Sequence, residues 1–226
     1  SANGTNPNEG TTYAAFTIDF KGTQSRADAT HSGTENERKV NKAFVILVDA
    51  EGNIETVLEK TEDAKTTEET GEGVYTVGET ERYLFQTTAG DHTFYAVINP
   101  DTEPDEDTDI EQYFTNAVAM SVEGDNAIAD PDATGKGFMM TCQKAENFYV
   151  NPDVTQEEAL AASDAKNNYT IDVERVAAKV TVVAENVELT DKTGNNADGK
   201  ITNTTFSLYG GATHTTRMAQ AAAELT

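Results

Sequence analysis

The chain has 226 residues, with 40 Asp+Glu against 16 Lys+Arg, a formal net charge of −24, one Cys and no Trp. This balance excludes nucleic acid and anionic lipid as partners, because both are bound through a basic face that displaces counterions. The lone Cys142 closes no intramolecular disulfide, three scattered His with one Cys make no structural zinc site, and the longest apolar run, Ala43 to Val48, falls far short of the roughly 20 residues of a membrane helix.

Residues 1–12, rich in Gly, Asn, Thr and Pro, read as a flexible leader. In Tyr13 to Phe20, the residues Ala14, Phe16, Ile18 and Phe20 alternate with Tyr13, Ala15, Thr17 and Asp19, the period of a strand with one apolar face. Lys21 to Lys39 holds nothing apolar larger than Ala and carries Arg26 and Arg38, which predicts an exposed loop open to proteases. Val40 to Val48, the turn Asp49-Ala50-Glu51-Gly52-Asn53 and Ile54 to Leu58 predict a hairpin. Tyr75, Val77, Tyr83, Leu84 and Phe85 resume the β signal, and after a turn at Ala89 to His92 the near-continuous apolarity from Thr93 to Asn99 predicts a strand buried on both faces.

Seven acidic residues between 101 and 111 lead into Ile110, Tyr113, Phe114, Ala117, Val118 and Met120 at helical spacing, so a helix from about Asp107 to Met120 is predicted. Phe138 to Met140 and Phe148 to Val150 read as short strands flanking Cys142, whose thiol is expected to be buried and reduced. Thr155-Gln156-Glu157-Glu158 is a capping-box start for a short helix over Ala159 to Ala165. Tyr169 to Val183 alternates as a strand, Ile201 to Tyr209 makes another, and Arg217 to Leu225 has helical propensity. Many short strands with two or three short helices give an all-β class, a β-sandwich.

His31, His92 and His214 stand far apart and each reads as a surface or turn residue. The chain lacks a Ser/His/Asp spacing, G-x-S-x-G, a P-loop, H-E-x-x-H and a dinucleotide fingerprint, so it is read as no enzyme, with no catalytic residue, cofactor or metal assigned. Asp105-x-Asp107-x-Asp109 opens like a calcium loop, but Ile110 and Asn116 stand where that loop needs Gly and Glu, which leaves a solvated, helix-capping acidic stretch. One constellation rises above these. Either Ala14 to Phe20 is an edge strand before a mobile loop, or a cut after Arg26 frees it and leaves unpaired N–H and C=O groups beside an apolar slot, a site for strand addition by another chain.

Four blocks resemble the FimA-type (type V) fimbrial subunits of Bacteroidia, including the minor fimbrillin. Phe16-Thr17-Ile18-Asp19-Phe20 with Gln24-Ser25-Arg26-Ala27-Asp28 is similar to the family's leading strand and its processing site for an arginine-specific protease. Val40 to Val48 followed by Asp49 to Ile54, Phe85 to Asn99, and Val173-Glu174-Arg175-Val176-Ala177-Ala178-Lys179-Val180 resemble three further segments in the expected order. The resemblance implies a secreted lipoprotein precursor of two transthyretin-like sandwiches, anchored at the outer membrane, cut at Arg26–Ala27 and polymerised with other pilin subunits by strand exchange in the service of adhesion. It divides the chain into a leader (1–12), an N-terminal sandwich (13–166, with 13–20 the removable strand and 21–39 the processing loop) and the opening of a second, incomplete β domain (167–226). The family's lipid-modified Cys is absent before Ser1, which points to a mature or trimmed start. The alternative is an accessory or tip adhesin, or a surface glycan-binding lipoprotein module that meets a host protein or glycan, with Tyr113, Tyr149 and Tyr209 as the aromatics open to a sugar face.

Overall fold

Alternating aromatic and β-branched residues set strands of three to ten residues, with Gly, Asn and Asp supplying many of the turns between them. The computed structural model describes residues 11–20, 39–60, 63–119, 137–142, 144–176 and 214–218. In chain order they form β1 (Thr11–Phe20), β2 (Ala43–Val48), β3 (Ile54–Glu59), β4 (Gly73–Val77), β5 (Thr80–Thr88), β6 (Gly90–Ile98), α1 (Ile110–Thr115), β7 (Ala117–Ala119), β8 (Met140–Cys142), β9 (Glu146–Val150), α2 (Gln156–Ala159), β10 (Asn168–Arg175) and β11 (His214–Thr216). Nine strands make one sheet in the order β3-β2-β6-β8-β10-β1-β5-β4, with β9 also paired to β6, while β7 pairs with β11 apart from it. The sheet curls until its two ends meet, where Lys60 Nζ lies 2.9 Å from Glu81 Oε2. The class is all-β, as the alternation predicts.

Residues from β2, β6 and β9 face residues from β1, β5 and β10 across the main core. Several strands also bury their outer face, so the molecule is thicker than one sandwich. Ala43, Val45 and Leu47 enter the main core, while Phe44, Ile46 and Val48 on the same strand pack under Tyr113 and Phe114 of α1. Likewise Ala14 and Phe16 of β1 face inward and Ala15 packs outward against Tyr75, Leu84 and Leu160. The double burial predicted for the strand after Thr93 holds: Phe94, Ala96 and Ile98 are in the main core and Val97 is under α1.

Four sequence expectations need correction. The helix expected from Asp107 to Met120 spans only Ile110–Thr115, after which Ala117–Ala119 pairs with β11. Asp109 caps it by accepting from Gln112 N at 3.0 Å, and Asn116 in extended conformation ends it. The capping box of Thr155 and Glu158 is present, yet α2 stops at Ala159, before residues of left-handed backbone at Asp164 and Asn167. The leader boundary also moves, since Thr11 and Thr12 already belong to β1. Finally, the segment placed beyond 166 in a second domain begins with β10, which lies in this same sheet between β8 and β1. The strand expected over 201–209 lies outside the described residues, as does most of the helix expected over 217–225.

Candidate functional site

β1 is not an edge strand. It pairs in parallel with β10, Ala15 opposite Asn168 through Phe20 opposite Val173, and antiparallel with β5, Thr11 opposite Thr88 through Phe16 opposite Tyr83. A segment from the start of the described chain therefore fills an interior position whose two neighbours, β5 and β10, are far apart in sequence. Of the four side chains on its apolar face, Ala14 and Phe16 are wholly buried, while Ile18 and Phe20 are half-buried at the far end.

Phe16 is the hub. Its ring centroid lies 5.4 Å from that of Phe85, 4.6 Å from Phe94, 5.1 Å from Phe148 and 5.8 Å from Tyr169, which joins β5, β6, β9 and β10 through one side chain. Burial raises the pKa of Tyr83, opposite Phe16, and of Tyr169, so both phenols stay neutral and serve the core as apolar bodies. The first half of β1 is further tied by polar contacts. Thr12 Oγ1 donates to Asn151 O at 2.9 Å and accepts from Val154 N at 3.0 Å, and Tyr13 N donates to Val154 O at 3.0 Å. Asn167, held in left-handed backbone with φ 45°, donates from Nδ2 to Tyr13 O and to Asn151 O at 2.9 Å each and accepts from Asn151 N at 2.9 Å. Its own carbonyl accepts from Ala15 N at 2.9 Å. The strand is thus anchored most firmly at Thr12 to Phe16 and least firmly toward Phe20.

A similar asparagine holds the chain where it re-enters before β2. Asn99, also left-handed with φ 48°, accepts through Oδ1 from Asn41 N at 2.8 Å and Lys42 N at 3.2 Å, and donates through Nδ2 to Lys39 O at 2.8 Å and Phe138 O at 3.1 Å. Gly137 makes room for this cluster, for a Cβ there would stand 2.2 Å from Lys39 O. The expected processing residues Arg26 and Ala27 lie outside the described residues, as does His31.

The other residues singled out by sequence divide. Cys142 is fully buried, and burial pushes its thiol up to about 11. Asp105 and Asp109 spend their carboxylates on Asp107 N, Thr108 Oγ1 and Gln112 N, and among the described residues no three acidic, His or Cys side chains are grouped to hold a metal ion. His92, expected at the surface, is 4% exposed: its Nε2 lies 3.0 Å from Thr87 Oγ1 and 3.1 Å from Glu55 Oε1, and its Nδ1 lies 3.1 Å from Gly90 O. The period of two was the missed signal, since His92 shares a strand face with Phe94, Ala96 and Ile98. Of the candidate sugar-facing aromatics, Tyr113 is buried, Tyr149 is 55% exposed, and Tyr209 lies outside the described residues. Sequence reading also passed over Arg217, which is buried in a two-point pair with Asp101, Nε to Oδ1 and Nη2 to Oδ2 at 2.8 Å each, with its guanidinium 4.1 Å from the Tyr113 ring centroid.

No protein-family model matches the sequence, and no curated protein matches it. Among solved structures the chain is similar to a fimbrial assembly protein from Parabacteroides distasonis, at 13% identity and a TM-score of 0.40, over 84% of this chain and 61% of that one. It is also similar to two proteins from the same organism described as cell adhesion proteins, at 14% identity, TM-score 0.42, 74% and 41% coverage, and at 11%, 0.38, 74% and 46%. These three neighbours are described as fimbrial and cell adhesion proteins of Parabacteroides, and the chain spans less than two thirds of the length of each.

Proposed function

We propose that the chain is a non-catalytic subunit of a bacterial cell-surface fimbria, of the FimA type, that polymerises after loss of β1 and serves adhesion. The observation that carries the reading is the seating of β1: an N-terminal strand between β5 and β10, with Ala14 and Phe16 in the core. Hydrolysis of the Arg26–Ala27 bond by an arginine-specific protease leaves β1 joined to the rest of the molecule only by non-covalent contacts. The downstream end stays fixed because Asn99 holds residues 39–42, so the upstream strand is the part that departs. Its departure exposes two ladders and an apolar slot, which a strand from another pilin fills. Full burial of a Phe or Ile contributes roughly 1.5–3 kcal/mol, so a donor strand with about four apolar anchors binds strongly after its ordering cost is met.

The test is to treat the full chain with an arginine-specific protease and follow assembly by size-exclusion chromatography and electron microscopy. The wild type is expected to lose the segment up to Arg26 and form polymers, while Arg26→Ala stays monomeric. Equal polymerisation of the two would refute the proposal.

A further inference from the structure

The outer face of β1 borders a cleft of about 820 Å³ between β4 and the turn around α2, within the roughly 300–1,000 Å³ range of ligand-holding sites. Its floor is apolar, formed by Tyr13 from β1, Val77 from β4 and Leu160 beyond α2. Its rim carries Glu68, Glu69 and Glu157, and among the described residues no Lys or Arg lines it. Among the described residues none of these three carboxylates is in an ion pair. The walls are fixed in advance: Gln156 accepts from Gly71 N at 3.0 Å and donates to Glu69 O at 2.6 Å, and Tyr75 OH donates to Gly71 O at 2.6 Å. A groove stapled in this way loses little freedom when it is filled.

We propose that this cleft docks a basic, apolar segment of another protein, one in which Lys or Arg alternates with aliphatic residues, and that it is complete only while β1 is seated. The charge pattern selects that chemistry. Long basic side chains lay their methylene stems on an apolar floor and carry their charged heads to the rim, and Tyr13, Val77 and Leu160 with the carboxylates of Glu68 and Glu157, and of Glu69, which accepts from Thr66 N at 2.9 Å, offer both halves of that contact. Tyr13 supplies the dependence on β1, because the strand that fills the interior slot also provides part of the cleft floor. The partner would therefore recognise the subunit before its first strand leaves. The inference needs only the seated strand, so it stands or falls apart from polymerisation.

The experiment is fluorescence polarisation of the full, uncut chain with a labelled peptide in which Lys alternates with Val. The Glu/Val counterpart serves as the blank. Binding is expected for the Lys peptide alone, weakened about tenfold or more by Glu68→Lys with Glu157→Lys and severalfold by Tyr13→Ala. Glu106→Lys with Asp107→Lys, the same change of charge at a remote acidic stretch, is expected to leave affinity within about twofold, which separates the cleft from the general attraction of an acidic protein. No binding by the wild type, or equal weakening by the two charge-reversed pairs, would overturn the docking groove. Unchanged binding by Tyr13→Ala would overturn the part assigned to β1. Circular dichroism of each variant confirms that the fold is kept, so a loss of binding reads on the groove.

Discussion

Replacing Phe16 by Ala removes the ring that joins β5, β6, β9 and β10 through contacts with Phe85, Phe94, Phe148 and Tyr169. The site is fully buried and enclosed by other rings on several strands, so the walls cannot all move in to fill the space. Both the lost transfer free energy and the cavity it leaves therefore count, and Phe→Ala at such a site costs about 3–5 kcal/mol. For a folded unit of this size each kcal/mol lowers Tm by about 2–4 °C, which predicts a fall of roughly 6–20 °C. Phe20→Ala provides the internal comparison, since that ring is only half-buried at the other end of the same strand and its loss is expected to cost about 1–2 kcal/mol. Urea and thermal unfolding followed by circular dichroism measure both. If Phe16→Ala costs under about 1 kcal/mol, or no more than Phe20→Ala, then β1 is not the centre of the core and the reasoning fails.

Asn167→Ala removes the bonds to Tyr13 O and to Asn151 N and O and keeps a left-handed backbone that Ala dislikes, so a loss of about 2–4 kcal/mol is expected; Asn167→Gly relieves only the backbone share, about 1–2 kcal/mol, and urea midpoints of the two compare the shares. Because burial raises the Cys142 thiol to about 11, its contribution to stability is complete below the ordinary thiol range near 8.5 and is lost as pH rises through 11; Cys142→Ala should flatten that part of the decline in urea midpoint, and native Cys142 should resist a thiol reagent at pH 8 that labels it in urea. Asp101→Asn leaves the buried Arg217 guanidinium without its carboxylate and is expected to cost about 3 kcal/mol, read as faster hydrogen exchange in β7 and β11, while the double variant Asp101→Asn with Arg217→Met recovers part of the loss.

The strands were legible where one face is apolar and the other polar, as in β1, and where apolarity is continuous, as in β2 and β6. Their partners were not. Nothing in Ala14 to Phe20 tells that a strand lies between two others, because the alternation of an edge strand and of an interior strand covered on one side is the same until the outer layer around Leu84 and Leu160 is known. The helix after Asp109 ran short because Ala117 and Val118 fit a strand as well as a helix, and pairing with residues nearly a hundred positions onward decided it. His92 went astray because the turn signal of Gly90 and Asp91 was read past its end, although the strand's period already placed the imidazole inward. The two left-handed asparagines, Asn99 and Asn167, were hidden for another reason: asparagine before proline or before a second asparagine reads as an ordinary turn, and only their carbonyl partners show what they hold.

The mixed pairing of β1 has a consequence for direction. Since β1 runs parallel to β10 and antiparallel to β5, those two neighbours run opposite to each other. Any strand laid between them must form one parallel and one antiparallel ladder, whichever way it points. The main chain of the slot is therefore almost indifferent to polarity, with a preference no larger than the slight weakness of parallel pairing. Orientation must be written in side chains instead: a deep aromatic pocket at the position of Phe16 and shallow ones at Ile18 and Phe20 make an asymmetric template. In the strand exchange proposed above, a replacement strand would be read by where its largest residue falls along its length, and a reversed strand would fail by leaving that pocket empty, not by losing hydrogen bonds.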